Sequence, residues 1–228
     1  MADGEQSEQR RKTGPQTWLA YGLLAAGFVA IVAAALLLWQ GSASAPQAPV
    51  DGQSAEPQPS STKPAAQAIA SYNVAPDRPK YITIDSIKLP QTRIFPLGLL
   101  PDGQIATPNN IHDAGWYSSS AKPGQSGAMF IYGHVSSWKA NGAFYNLNKL
   151  KAGDRVTVTN GANQSFTYQV LSTKTYPHDA VPMDAVLAPA EAGKPGLNLM
   201  TCAGRIIKGT SEFDERLVVY TKQIQPAG

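Results

Sequence analysis

Cysteine is almost absent from this sequence, since Cys202 is the only one among 228 residues. A single thiol excludes an intrachain disulfide and a cysteine-rich metal site. Charge is also sparse, because charged residues make up 15% of the chain and the formal net charge is +3. Without a dense basic face, nothing indicates a nucleic-acid partner. The length suits one domain with appendages.

One long uncharged run contrasts with the otherwise short apolar segments. Residues 19–38 contain no charged side chain and lie between Trp18 and Trp39. A helix of that length spans the roughly 30 Å of a bilayer's hydrocarbon core, and tryptophans favour its two interfaces. We therefore predict a transmembrane anchor over residues 18–39.

The charges that flank this run set its expected orientation. Arg10, Arg11 and Lys12 precede it, and no Lys or Arg follows until Lys63. The positive-inside bias then makes residues 1–17 a cytoplasmic segment and places the rest of the chain outside the cell membrane. A cleaved signal peptide is the competing interpretation, because the basic cluster also suits an n-region and residues 43–45 resemble a cleavage site.

The segment after the apolar run has the composition of a linker. Residues 40–79 are rich in Ala, Pro, Ser and Gln and contain almost no large apolar side chains. Such a segment buries too little surface to offset the entropy of ordering. We predict a flexible, partly polyproline-like linker that holds a folded domain, residues 80–228, away from the membrane surface.

The rest of the chain consists of short strand-like runs separated by turn residues. Apart from possible helical turns at 144–150 and 183–187, it has no helical period. Many short strands predict an all-β domain, either a closed barrel or a sandwich. The clearest runs are 81–84, 128–132, 155–159, 166–170, 197–201 and 217–221.

Cys202 is a candidate nucleophile because of where it lies. It follows the apolar run 197–201 and precedes Ala203-Gly204, where small residues let a ligand approach the backbone. A lone cysteine is more often a small buried hydrophobe. In a domain outside the cell, however, an unpaired thiol risks oxidation, which favours a functional reason for its presence.

A reactive thiolate needs a basic or cationic neighbour and a proton donor for the leaving group. His134 follows the apolar run 128–132 and Gly133, so its side chain is expected at a strand end where a barrel opens. His112 and His178 lie in polar connections and are expected to be solvated. His134 is therefore the candidate acid and base.

Arg216 is a candidate for stabilising negative charge. It begins the run 217–221, and residues 203–215 separate it from Cys202. If the two strands pair in an antiparallel hairpin, both residues fall at the same end of the sheet. An arginine at that position can supply positive charge to an oxyanion or hold a substrate carbonyl. Arg205 is the competing choice, because it is close to the thiol in sequence.

Together these segments resemble the sortase family over residues 81–222. The resemblance consists of Gly133-His134 after an apolar strand, of Leu199-Met200-Thr201-Cys202, which is similar to the family's TLxTC signature, and of Arg216 leading the final strand. The order His, Cys, Arg and its spacing also agree. Leu199 departs from the signature by replacing its threonine. Residues 115–117 and 123–124 look most like class F or class E members.

The resemblance implies an eight-stranded sortase-type barrel and a two-step acyl transfer. The Cys202 thiolate is expected to attack the Thr–Gly carbonyl of an LPxTG-like sorting signal, while His134 protonates the departing amine and Arg216 stabilises charge. Thr201 is expected to bind substrate. An amine of a peptidoglycan precursor or of a pilin subunit then resolves the acyl-enzyme.

The resemblance leaves two alternatives open. The same acyl-enzyme serves a hydrolase that uses water as acceptor, and a non-catalytic, membrane-tethered wall-binding module is compatible with a merely buried Cys202. No cofactor is expected. Calcium activation is not predicted either, because four acids in the second half of the chain are scattered and form no dense oxygen-ligand loop. These acids are Asp179, Asp184, Glu191 and Glu212.

Overall fold

The computed structural model describes residues 58–225, which form a closed barrel of eight strands with two short α helices. The predicted all-β, eight-stranded barrel is therefore confirmed. Two single 3₁₀ turns, Asp85–Ile87 and Leu147–Lys149, complete the regular structure of this part. The elements are α1 (Ala66–Ala70), β1 (Pro79–Ile84), β2 (Leu89–Leu97), β3 (Ala114–Tyr117), β4 (Ala128–Gly133), β5 (Arg155–Asn160), β6 (Ser165–Pro177), α2 (Met183–Val186), β7 (Gly196–Ile206) and β8 (Phe213–Gln225).

The order of strands around the barrel brings distant parts of the sequence together. The order is β1-β2-β3-β4-β7-β8-β6-β5, and β5 closes on β1. Most neighbours are antiparallel, but β2 runs parallel to β3, and β4 runs parallel to β7. A parallel pair needs a long crossover, and here β5, β6 and α2 lie between the two strands in sequence. The strands that precede His134 and contain Cys202 therefore become neighbours.

Two apolar clusters pack on opposite faces of these strands. Side chains alternate between the faces of a strand, so Met129 and Ile131 of β4 enter the barrel interior. Phe130 and Tyr132 instead join a cluster outside the barrel, which we call the outer cluster. Burying one large apolar side chain contributes about 1.5–3 kcal/mol, so both faces stabilise β4. The outer cluster consists of Leu97, Phe130, Tyr132, Val186, Met200, Val218 and Tyr220.

The sequence patterns missed two strands and shortened three others. The prolines Pro90 and Pro96 interrupt the β pattern of β2, and β3 is only four residues long. The strands β6, β7 and β8 all extend beyond their predicted ends. In particular, β7 and β8 continue past the predicted site as a long hairpin that turns between Ile206 and Phe213.

The second half of the expected linker differs from the prediction, because residues 58–78 pack on the barrel. Ser60 forms an isolated bridge with Asn110. The Tyr72 hydroxyl donates to the carbonyl of Ile94 at 2.6 Å, and its ring lies 4.8 Å from that of Phe95. The few aromatic and polar groups of residues 58–78 make contacts with the barrel, and these contacts order the segment.

The predicted transmembrane helix, residues 18–39, lies outside the described residues. Among residues 58–225, no helix is long and apolar enough to cross a membrane.

Candidate active site

The arrangement of strands brings the three predicted catalytic residues to neighbouring strand positions. Cys202 on β7 and Arg216 on β8 are direct partners in the antiparallel ladder, as the hairpin hypothesis requires. Tyr132 on β4 pairs with Met200 on β7. His134 follows Gly133, the last residue of β4, and its ring lies 6.1 Å from that of Tyr132, whose hydroxyl contacts the Cys202 sulfur. Cys202 and Arg216 thus lie at one level on β7 and β8, and His134 lies just beyond the end of the neighbouring strand β4.

Cys202 is half-buried, and its sulfur lies 3.0 Å from the hydroxyl of Tyr132. Burial raises the pKa of the thiol, because a desolvated thiolate is disfavoured. The bond with Tyr132 and the charge of Arg216 lower this pKa, and Glu212 raises it, but burial dominates. The free thiol is therefore mostly protonated at neutral pH.

His134 is held by a backbone carbonyl. Its Nε2 lies 2.8 Å from the carbonyl oxygen of Pro108, and because a carbonyl only accepts, Nε2 must be the protonated nitrogen. Nδ1 is then the ring atom that can take up or release a proton. Burial lowers the pKa of the imidazole, and the bond to Pro108 only partly offsets this. Neutral histidine thus predominates in the free protein.

Arg216 is fixed at the hairpin side of the site. Its Nη1 donates to the carbonyls of Phe213 and Glu215, at 2.9 and 3.0 Å. Its Nη2 donates to Oε2 of Glu212 at 3.0 Å. The side chain is only 15% exposed, so its charge is weakly screened and acts on the Cys202 sulfur.

The competing arginine, Arg205, does not pair with the cysteine. Its side chain is exposed, and its backbone N–H donates to Oδ1 of Asp214 at 2.7 Å. Between Cys202 and Arg205, Gly204 has φ +81° and a Cβ there would overlap the Asp214 carboxylate. Gly204 therefore lies at the irregularity of β7 between Ala203 and Ile206, and Arg216 is the arginine beside the thiol.

Comparison with known proteins assigns the chain to a family. A family model described as a sortase domain matches residues 82–224. This chain belongs to the sortase family. Since sortases are cysteine transpeptidases, the chain is an enzyme of that class. No curated protein matches the sequence.

Solved sortase structures share the fold of this sortase. Sortase C of Streptococcus pneumoniae is 22% identical, covers 74% of this chain and 76% of its own, and has a TM-score of 0.50. Sortase A from Corynebacterium diphtheriae is 20% identical, with 73% of each chain covered and a TM-score of 0.50. Sortase C1 of Streptococcus agalactiae is 22% identical, with 68% and 71% covered and a TM-score of 0.50. These likenesses show the fold alone and do not confirm class F or class E.

Thr201 connects the two strand ends of the sortase site. Its side chain is 2% exposed, and its hydroxyl donates to the carbonyl of Gly133 at 2.7 Å. Gly133 itself must be small, because a Cβ there would lie 2.7 Å from the ring of Phe144. The contact of Thr201 with substrate stays a prediction. In the structure its hydroxyl bonds to the carbonyl of Gly133, the residue before His134.

The other two histidines lie in different surroundings. His178 is exposed, as predicted. The prediction that His112 is solvated was wrong, because its ring is half-buried and Nε2 lies 3.2 Å from the carbonyl of Ser61. The cause is the packed segment 58–78, which the composition did not reveal.

Tyr132 is the site residue that the sequence analysis missed. It touches the Cys202 sulfur, and its ring meets that of His134 edge-on with centroids 6.1 Å apart. A signal was available, because residues two apart on a strand share one face and Tyr132 precedes His134 by two. Within residues 58–225, no group of three or more His, Cys, Asp or Glu side chains is placed to bind a metal ion.

Proposed function

We propose that this sortase is a membrane-anchored transpeptidase that cleaves an LPxTG-like C-terminal sorting signal between Thr and Gly. The carboxyl group passes through a thioester on Cys202 to an amine of the cell wall or of a pilin. The observation that carries the proposal is the direct pairing of Cys202 with Arg216, next to the strand that ends immediately before His134.

The first step needs a thiolate and an acid together. The Cys202 thiolate adds to the threonine carbonyl, and Arg216 lies beside this position, where its charge stabilises the developing oxyanion. The C–N bond to glycine then breaks. Protonated His134 gives its Nδ1 proton to the departing amine, and the thioester remains on the sulfur.

The second step uses the same groups in the reverse direction. Neutral His134 takes a proton from the incoming amine as its nitrogen adds to the thioester carbonyl. The C–S bond breaks, and the thiolate leaves with the support of Arg216. One imidazole therefore serves as acid and then as base, and the arrangement needs no second proton carrier.

The outer cluster supports a peptide as substrate. Cys202 packs at its margin, and half-buried apolar side chains from the β2–β3 and β6–β7 connections surround it. An extended peptide with apolar residues before its threonine can lie along this face and present the threonine carbonyl to the sulfur. The side chains in question are Ile105, Ala106, Val181, Met183 and Leu187.

The proposed anchor, residues 18–39, suits such a reaction. Surface proteins that carry a sorting signal are themselves held at the membrane as they emerge. Confinement of enzyme and substrate to one thin layer raises their effective concentration. The motifs at 115–117 and 123–124 support the further proposal that this sortase is of class F or class E.

The test is a peptide assay with mass spectrometry. An LPxTG peptide is incubated with the wild type and with Cys202→Ala, with and without a glycine-peptide amine, and a scrambled peptide serves as control. We expect cleavage after threonine, an acyl adduct on Cys202 and a ligated product only when the amine is present. Absence of both cleavage and adduct in folded wild type refutes the proposal. Cleavage that gives only the hydrolysed product, even when the amine is present, identifies a hydrolase.

A further inference from the structure

The hydroxyl of Tyr132 is the polar group that contacts the reactive sulfur. The distance from the hydroxyl oxygen to Sγ of Cys202 is 3.0 Å. His134 and Arg216, the two residues expected to serve the thiol, direct hydrogen bonds elsewhere, to Pro108 and to Glu212 with the hairpin carbonyls. The tyrosine therefore occupies the position of a direct donor to sulfur.

The ring of Tyr132 is held so that this hydroxyl stays in place. The residue is 7% exposed and belongs to the outer cluster. Its strand runs parallel to β7, where its Cα partner Met200 precedes Cys202 by two residues. The edge of the ring meets His134. Because packing fixes the ring, only the hydroxyl hydrogen is free to turn toward or away from the sulfur.

The direction of the bond depends on the state of the sulfur. A neutral thiol can donate or accept, but a thiolate can only accept. Burial and the neighbouring Cys202 raise the pKa of Tyr132 well above its usual value, so the phenol keeps its proton. When Cys202 ionises, the contact becomes O–H···S⁻, and hydrogen bonds to an ionised acceptor are about twice as strong as neutral ones.

We propose that Tyr132 is a catalytic residue of this sortase, whose hydroxyl donates a hydrogen bond to the Cys202 sulfur and stabilises the thiolate. The inference rests on the proposed role of Cys202 as nucleophile. The tyrosine gives up no proton: the thiol proton leaves for His134, and the O–H bond of Tyr132 stays intact. The donor acts twice, when the thiolate forms before attack and when it departs from the thioester.

The experiment measures the thiolate without any substrate. Full-length wild type and Tyr132→Phe are alkylated with iodoacetamide over a range of pH, and modification of Cys202 is followed by mass spectrometry. Loss of the donor should raise the pH midpoint of alkylation by roughly one unit and slow the reaction about tenfold at neutral pH. We expect kcat/KM for an LPxTG peptide to fall in parallel.

Tyr220→Phe is the matched control. Tyr220 is also 7% exposed and belongs to the same cluster, but its hydroxyl pairs with that of Tyr176 at 3.1 Å rather than with sulfur. It should leave the alkylation midpoint unchanged. A midpoint that is the same in Tyr132→Phe and wild type, or one that moves equally in both variants, overturns the proposal.

Site-specific incorporation of 3-fluorotyrosine at position 132 provides a second measurement if Tyr132→Phe fails to fold. The fluorinated phenol is a stronger donor, so the alkylation midpoint should move down, opposite to the phenylalanine variant. No movement overturns the proposal. If the midpoint responds but Cys202→Ala retains full turnover, the bond exists while the nucleophile assignment, and with it the catalytic role of Tyr132, is refuted.

Discussion

The hydroxyl of Thr201 donates to the carbonyl of Gly133, and this 2.7 Å bond joins the strand of the candidate nucleophile to the strand of the candidate acid. The two residues directly precede Cys202 and His134. A bond at this point fixes how far apart the two strand ends lie. A displacement of about 1 Å between reacting groups can lower a rate by about a hundredfold.

Thr201→Val should therefore affect both stability and turnover. The substitution keeps the shape of the side chain and removes the hydroxyl, so the free energy of unfolding should fall by about 1 kcal/mol. We expect kcat to fall several-fold because the strand ends loosen. Urea denaturation and steady-state kinetics with an LPxTG peptide measure the two effects, and Thr201→Ser, which retains the hydroxyl, should stay close to wild type.

The same variant distinguishes two roles of Thr201. If the threonine mainly contacts substrate, Thr201→Val raises KM and leaves the free energy of unfolding unchanged. If it mainly joins the strands, stability and kcat fall together. An unchanged stability with an unchanged kcat contradicts the structural role.

The sequence predicted the Cys202–Arg216 relationship because it depends on a single hairpin of two consecutive strands. The spacing of two adjacent strands and their turn was enough to place both residues at one level. The contacts of His134 with Pro108 and of Tyr132 with the sulfur depend on different information. They require the parallel register of β4 and β7 and the path of a loop, and neither follows from local patterns.

The strands also divide into those that local sequence patterns predicted and those that they missed. The predicted runs are those in which β-branched and apolar residues stand together, as in β5 with Arg155-Val156-Thr157-Val158. In contrast, β2 was hidden by its prolines and β3 by its length. Residues 58–78 were assigned to a linker because composition averages over a segment and overlooks single anchoring side chains such as Tyr72.

The pH profile of activity should have an acidic limb set by His134 and a basic limb set by Cys202. In an ordinary thiolate–imidazolium pair, the cysteine sets the acidic limb and the histidine sets the basic limb. Burial lowers the pKa of His134 below 6.5 and raises that of Cys202 above 9.0. The reactive form needs imidazolium with thiolate, so its fraction rises with pH up to the histidine pKa. It stays level between the two values and falls above the cysteine pKa.

The measurement is kcat/KM over pH, compared with the pH midpoint of Cys202 alkylation. We expect the acidic limb below pH 6.5, the basic limb above pH 9.0, and an alkylation midpoint that coincides with the basic limb. Coincidence of alkylation with the acidic limb instead means that the thiolate is already formed in the resting enzyme.

Arg216→Lys should lose most activity despite keeping the charge. The guanidinium holds Glu212 and two hairpin carbonyls at once through separate N–H groups, and a lysine ammonium cannot reproduce this planar arrangement. Arg205→Lys, on the same hairpin but exposed, should change kcat/KM little. Both variants are compared by kcat/KM, and a larger loss in Arg205→Lys contradicts the assignment of Arg216.

The packed segment before the barrel should influence His134 from a distance. The N–H of Ser60 donates to the carbonyl of Asn109 at 2.8 Å, and the Ser60 carbonyl accepts from the N–H of Ile111 at 2.9 Å. Both bonds hold the loop beside Pro108, whose carbonyl accepts from His134. The segment therefore braces the group that orients the imidazole and raises its pKa.

Ser60→Pro tests this connection in the full-length chain. Proline has no N–H, so the bond to Asn109 is lost, whereas Ser60→Ala keeps the whole backbone and serves as the control. We expect Ser60→Pro to lower kcat and to move the acidic limb of the pH profile further down, because a loosened Pro108 carbonyl supports the imidazolium less. Ser60→Ala should match wild type. An acidic limb that does not move in Ser60→Pro, despite a lower melting temperature, shows that the segment stabilises the barrel without reaching the histidine.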